Sequence, residues 1–457
     1  MPGSKPDDKR LYTLSSENPY KAVIKLGVPL IAGMFIMVLY NYVDTYFIGL
    51  MNDDFQLAAV NFAYPVMMVT VAISNMVGTG ASSLIARSLG AGQKELADHT
   101  ATAGILLTVV NGLIVTVAGI VFLPQIVTIL GAKENTFDYT EQYVFVILLG
   151  SVFTMGNYTL GQLLRSEGSV KYSIIGMMVG TFSNIILDPL FIFALKMEIR
   201  GAAIATILGN ALGMIVSVVL YISGKSLLRP SIKYIKPTGE ILKEIFWVGI
   251  PASLETLLTS VAYIINNNLA VAYGELTVTA MGVAQKIMTV GNYIYQGFAA
   301  GVQPLMGYNY GAKNYSRMKQ CLKSGLIVVS ATELFVMMVF AITAPLLIDI
   351  FTDSTTVINT GAMVLRTLMF ILPFVGTVSM CRMSFQAMGK PFYAFAITMV
   401  RQLFLYVPLL LILDSYFGFG GMLWAQPVTE AIMMASSVGL LLFVINREDV
   451  KNKPCDY

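Results

Sequence analysis

Twelve apolar runs separated by short polar breaks dominate this chain: residues 22–50, 56–86, 99–125, 137–164, 171–196, 201–223, 243–274, 276–308, 319–345, 358–388, 391–415 and 418–445. A hydrocarbon core of ~30 Å is crossed by about 20 apolar residues in a helix, and only helices or closed barrels satisfy their own backbone polar groups there. The runs predict an all-α integral membrane protein with twelve transmembrane helices. Composition agrees, since 56% of the 457 residues are hydrophobic and only 12% are charged, against about a quarter charged in a soluble domain. The net charge of +3 is too small to argue for a nucleic-acid partner. The first residues, MPGSKPDDKRLYTLSSENPYK, are polar and lack an apolar signal-peptide core, so insertion is expected to begin with a retained helix.

The longest break, residues 224–242, is basic and contains Pro230 and Pro237. It reads as a cytoplasmic linker between an N-lobe of six helices (22–223) and a C-lobe of six (243–445), with cytoplasmic tails at 1–21 and 446–457. Basic residues test this topology, because cytoplasmic loops retain positive charge. Of the 29, only Lys133, Lys196 and Arg200 fall in the loops that would face outside.

The halves also resemble each other. Gly80, Leu84, Gly90 and Ala91 recur at one constant spacing as Gly301, Leu305, Gly311 and Ala312; Gly104 recurs as Gly325 and Gly168 as Gly389. One residue further, LGVPL around Pro29 meets VGIPA around Pro251. With six helices per half, the two repeats enter the membrane from the same side. They are therefore parallel repeats, an arrangement that places a cavity between two lobes.

Charge at membrane depth is costly and tends to be functional. The ionisable residues deep inside the runs are Asp44, Asp188, Glu255, Lys286, Glu333, Arg366, Arg382, Arg401 and Glu430. Counting at 1.5 Å per residue places Asp44 in the first run and Asp188 in the fifth at one level of the outer leaflet. Asn184 lies one turn before Asp188 on the same face, Thr206 lies at a similar depth in the sixth run, and Tyr40 and Asn41 stand beside Asp44. Two acids with amide and hydroxyl partners make a site for a coupling cation, either Na⁺ through oxygen ligands or H⁺ on a desolvated carboxyl. The bland reading is that each acid pairs with an arginine or caps broken backbone near Pro189.

In the second half, Glu255 and Lys286 are open to two readings, a structural ion pair or substrate contacts in the cavity together with Gln285, Asn292, Tyr293 and Gln296. Glu333 and Glu430 are possible partners of Arg366 or Arg401. Methionine is abundant at 27 residues, which suits core packing and also a pocket that repacks around varied ligands. The glycine pairs Gly176/Gly180, Gly209/Gly213 and Gly297/Gly301 predict close helix packing.

Other classes fit poorly. Gly224-Lys225-Ser226 lacks the first glycine of a phosphate loop, with Val219 in its place. Cys321, Cys381, Cys455 and the single histidine, His99, share no metal or disulfide spacing, and one loop histidine cannot support a membrane hydrolase. A channel or receptor remains the rival from another class. The residues favour an ion-driven secondary carrier, not an enzyme, with no cofactor beyond the coupling ion.

The series of Pro29 with Asp44 after it, LLRSEGSVKYS at 163–173, NIILDP at 184–189, RGAAIAT at 200–206 and the repeated GAG/GAK turns resembles the multidrug and toxic compound extrusion family over nearly the whole chain, and within it most the bacterial MepA-like exporters. The resemblance implies twelve helices in two bundles and export of cationic, lipophilic drugs, small-molecule substrates, in exchange for H⁺ or Na⁺. It implies a monomer in the plasma membrane and a cation site at Asp44, Asn184, Asp188 and Thr206, with Tyr143 matching a tyrosine of that site and Pro29 a helix-bending proline. Where some branches carry an acid in the seventh helix this chain has Thr259, and Glu255 lies four residues earlier. The rival within carriers is a flippase for lipid-linked sugars or a carrier for an endogenous metabolite, which the deep cations Lys286, Arg366, Arg382 and Arg401 keep open.

Overall fold

A computed structural model describes the backbone of residues 6–51, 53–352 and 354–451. Those residues are largely helical, with no strand among them. A short helix α1 (Pro6–Ser15) precedes α2 (Pro19–Gly49), α3 (Asp54–Gly90), α4 (Lys94–Val121), α5 (Leu123–Ile129), α6 (Glu134–Leu149), α7 (Ser151–Ser166), α8 (Val170–Pro189) and α9 (Glu198–Ile222). The second series is α10 (Gly239–Val271), α11 (Glu275–Gly311), α12 (Tyr315–Asp349), α13 (Thr355–Met369), α14 (Leu372–Ala387), α15 (Pro391–Met399) and α16 (Val407–Lys451). Joined across their bends, and with α16 divided where Gly418 breaks helical geometry, these make twelve rods at the twelve apolar runs. Among the described residues seven helices are long and apolar enough to cross a membrane, as are two bent pairs, α6 with α7 (51°) and α13 with α14 (43°). Large apolar side chains such as Ile186, Ile215 and Ile342 point outward, as a hydrocarbon solvent permits.

The repeat is visible in the backbone. The bend after Leu149 has its counterpart before Leu372, and the left-handed residues Gly92 and Gly168 (φ 73° and 80°) correspond to Lys313 and Gly389 (φ 55° and 68°). Lys313 adopts this conformation although only glycine does so without strain. Two compact units result, one of residues 1–10 and 32–253, the other of residues 11–31 and 254–457.

In the first unit α8 and α9 pack through both predicted glycine pairs: a Cβ on Gly180 would stand 3.0 Å from the Gly209 carbonyl oxygen, and one on Gly213 would stand 2.8 Å from that of Gly176. Gly80 of α3 meets the first half of α10, where a Cβ would come 2.1 Å from the Ile245 carbonyl oxygen. The basic segment after α9 is pinned to this unit by buried acids. Glu167 accepts from Ser226 Oγ and the Leu227 and Leu228 amides (2.7, 2.8 and 3.0 Å), and Asp98 accepts from the Arg229 amide at 2.7 Å. Burial pushes the Glu167 carboxyl above its ordinary range, against the lowering effect of these donors and of Arg10.

The second unit repeats the α3–α10 contact with different partners. Gly301 of α11 meets the first half of α2, a Cβ there lying 2.8 Å from the Gly27 nitrogen. Arg317 at the start of α12 donates to the carbonyls of Thr13, Leu14 and Glu17 (3.3, 3.2 and 2.7 Å), tying the end of α1 to this unit.

Candidate cation-coupling site

α2 carries Tyr40 and Asp44 one turn apart, hence on one face, and α8 carries Asn184 and Asp188 at the same spacing. Asp188 is followed by Pro189, which has no amide to bond the Ile185 carbonyl. The chain then widens into a π-turn over Leu190–Ala194, closed by the Leu195 amide on the Leu190 carbonyl at 2.9 Å. Such turns are rare and favour functional sites.

These two faces meet Thr206 of α9 and Tyr143 of α6 inside the first unit. Asn184 donates through Nδ2 to Asp188 Oδ1 and to Thr206 Oγ1, each at 3.3 Å. The Tyr40 hydroxyl lies within hydrogen-bonding reach of Thr206, and the Asp44 carboxyl within that of Asp188. Tyr143, 1% exposed, stands within electrostatic reach of both acids and of Tyr40. Asp188 is fully buried, with Asn184 and Thr206 nearly so.

Acceptors are in surplus here. Asp44 Oδ1, Asp188 Oδ2 and Asn184 Oδ1 are buried without a hydrogen-bond donor, and no arginine or lysine of the described residues acts on either acid. Two buried carboxylates without a counter-charge cost several kcal/mol. A proton shared between them, or a monovalent cation among the oxygens, removes that cost. The carboxylate, amide and hydroxyl oxygens fit Na⁺, which would be cargo here. The paired acids equally fit H⁺.

Tyr40, Asp44, Tyr143, Asn184, Asp188 and Thr206 thus come together; the side chain of Asn41 lies outside the described residues. Sequence reading missed two further members. Asn210 donates to the Thr206 carbonyl at 3.0 Å, and Asn157 donates to Asn210 Oδ1 at 3.1 Å, continuing the polar chain. The signal was an amide one turn after Thr206, passed over in a search for charges.

The second unit pairs its acids differently. Glu255 forms an ion pair with Arg382 and accepts from Gln386 Nε2 at 3.1 Å, so the pairing with Lys286 weighed from sequence is not formed; Lys286 is exposed. Glu430 pairs with Arg401 at 3.3 Å, while Arg366 donates to the Ala341 carbonyl at 3.1 Å. Gln285, Asn292, Tyr293 and Gln296 are partly exposed along α11.

Comparison with known proteins gives a consistent result. The family model MatE matches residues 29–190 and again 251–412, beginning each time at the repeated proline. The multidrug export protein MepA of Staphylococcus haemolyticus is 28% identical over 96% of this chain and 97% of its own length. An outward-facing multidrug resistance MATE family transporter of the MOP superfamily superposes with a TM-score of 0.90 at 28% identity, covering 96% of this chain and 98% of that one. A MATE solved in a bent conformation matches with the same score and identity over 97% and 99%. With both of its repeats matched and its twelve-helix fold shared, this chain belongs to the MATE family of multidrug efflux transporters, multi-pass membrane proteins acting on small molecules.

Proposed function

We propose that this protein is a secondary active antiporter that exports cationic, lipophilic compounds in exchange for H⁺ or Na⁺ by alternating access. The observation that carries the reading is the Asp44–Asp188 pair, with three orphaned oxygens at one buried point and no basic side chain among the described residues to answer them. Such a site favours a bound cation. A cation that binds one conformation better than the other shifts the balance between them, and a drug with the opposite preference is thereby exchanged.

Tyr40 and Asp44 ride on α2, whose helical bonding is interrupted at Pro29. Cation uptake that draws Asp44 toward Asp188 reorients α2 about that proline. Glu255, Gln285, Lys286, Asn292, Tyr293 and Gln296 are the proposed substrate-facing groups of the second half, with Tyr40 and Asn41 from the first. The chain supplies both repeats itself, which supports a monomer, and the bias of basic residues supports cytoplasmic termini in a plasma-membrane protein. The flippase reading loses support because Arg382 and Arg401 are occupied by Glu255 and Glu430.

Dye efflux from proteoliposomes under an imposed pH gradient, and separately under an imposed Na⁺ gradient, tests the proposal. One gradient should drive concentrative, saturable export. Export under neither sinks the antiport reading.

A further inference from the structure

The second unit contains a carboxyl that the coupling site does not use. Glu333 sits midway along the 35-residue α12, is 0% exposed, and has no side-chain donor on either carboxylate oxygen, the Tyr295 backbone alone acting on it. We infer that Glu333 is a proton-exchanging site of its own, separate from the Asp44–Asp188 pair and independent of which ion drives transport.

The surrounding charges lead there by elimination. Among the described residues three acids are buried in this unit, Glu255, Glu333 and Glu430. Arg382 on α14 is held by Glu255, and Arg401 by Glu430 on α16. Arg366, the only ionisable residue of α13, is exposed and bound to the Ala341 carbonyl. From α11 the facing group is Tyr295, whose phenol lies within electrostatic reach of Arg401, Glu430, Arg382 and Glu333 together.

A carboxylate at this depth with no counter-charge and no side-chain donor costs several kcal/mol, so the site holds a neutral acid. The packing is tight as well. Gly376 of α14 lies so near that a Cβ on it would stand 3.6 Å from Glu333 Cγ and 3.0 Å from Tyr295 Cβ. One turn before Glu333, Ser330 faces Thr377 across the same contact at 3.5 Å. The partly exposed Tyr295 and this hydroxyl pair are the polar groups through which a proton reaches the buried acid.

The proton itself is the ligand, and infrared spectroscopy reads it without transport. Difference spectra of the purified protein in lipid nanodiscs, taken as pH is raised, should show a protonated-carboxyl band that bleaches. The band should persist in Asp188→Asn, be lost in the isosteric Glu333→Gln, and return shifted in Glu333→Asp. An unchanged band in Glu333→Gln overturns the assignment. So does a Glu333 band that never bleaches while the protein stays folded, which marks a permanently neutral structural acid, and so does displacement by Na⁺ at constant pH. Because the band is followed in Asp188→Asn too, failure of the antiport reading and failure of this inference are separable.

Discussion

The two units follow one repeated pattern but treat the paired acids in their helices differently. In the first, Asp44 faces Asp188 and the neighbours are amides and hydroxyls. In the second, Glu255 and Glu430 face arginines. An acid against an acid favours a proton or cation between them, whereas an acid against an arginine carries its counter-ion within the chain. Repetition of the backbone has therefore preserved packing and left the chemistry free to diverge.

The strongest attempt to break this contrast is Asp188→Asn beside Glu430→Gln. With matched membrane expression, Asp188→Asn should reduce dye efflux to the level of empty vesicles, while Glu430→Gln should retain gradient-driven efflux. The reverse ranking would place coupling in the second unit. Next in size is Glu255→Gln, which leaves Arg382 without its acid. Removing one partner of a buried pair costs about 3–5 kcal/mol, but the Arg382 side chain is 26% exposed, so about 1–3 kcal/mol is expected after allowing for solvent screening. Thermal unfolding in detergent reads this loss, and Glu255→Gln/Arg382→Met should restore part of it. If the single variant is as stable as wild type, the pair is not structural.

Effects of comparable size sharpen the packing side of the comparison. Gly80→Ala drives a methyl to 2.1 Å from a backbone oxygen, and Gly301→Ala to 2.8 Å from a backbone nitrogen. Overpacking costs about 1–3 kcal/mol, with Gly80→Ala toward the upper end and Gly301→Ala toward the lower. Equal melting temperatures for the two would show that α2 and α10 yield to the methyl alike.

Much of the candidate coupling site was legible because depth in a bilayer is a residue count along a helix. Asp44, Asp188, Asn184 and Thr206 could be placed at one level from helix ends alone, and the i, i+4 spacing put Asn184 and Asp188 on one face. Arg382 and Gln386 share that spacing on α14, yet nothing in it says that α14 turns this face toward Glu255 and leaves Lys286 exposed. Asn157 and Asn210 were hidden for another reason: a neutral amide barely lowers the apolarity of its run. The short α1 was likewise invisible in a polar tail, since its end is held by Arg317 and not by an apolar stripe.

By itself the sequence determined an all-helical membrane fold and its duplication, because the bilayer imposes length, composition and backbone satisfaction on each segment separately. Only the tertiary structure decided which charge meets which. Partnership depends on the rotation of each helix and on close approaches at glycines such as Gly180 and Gly376, and so Glu255 acquired an arginine, Asp188 a second acid, and Glu333 no counter-charge.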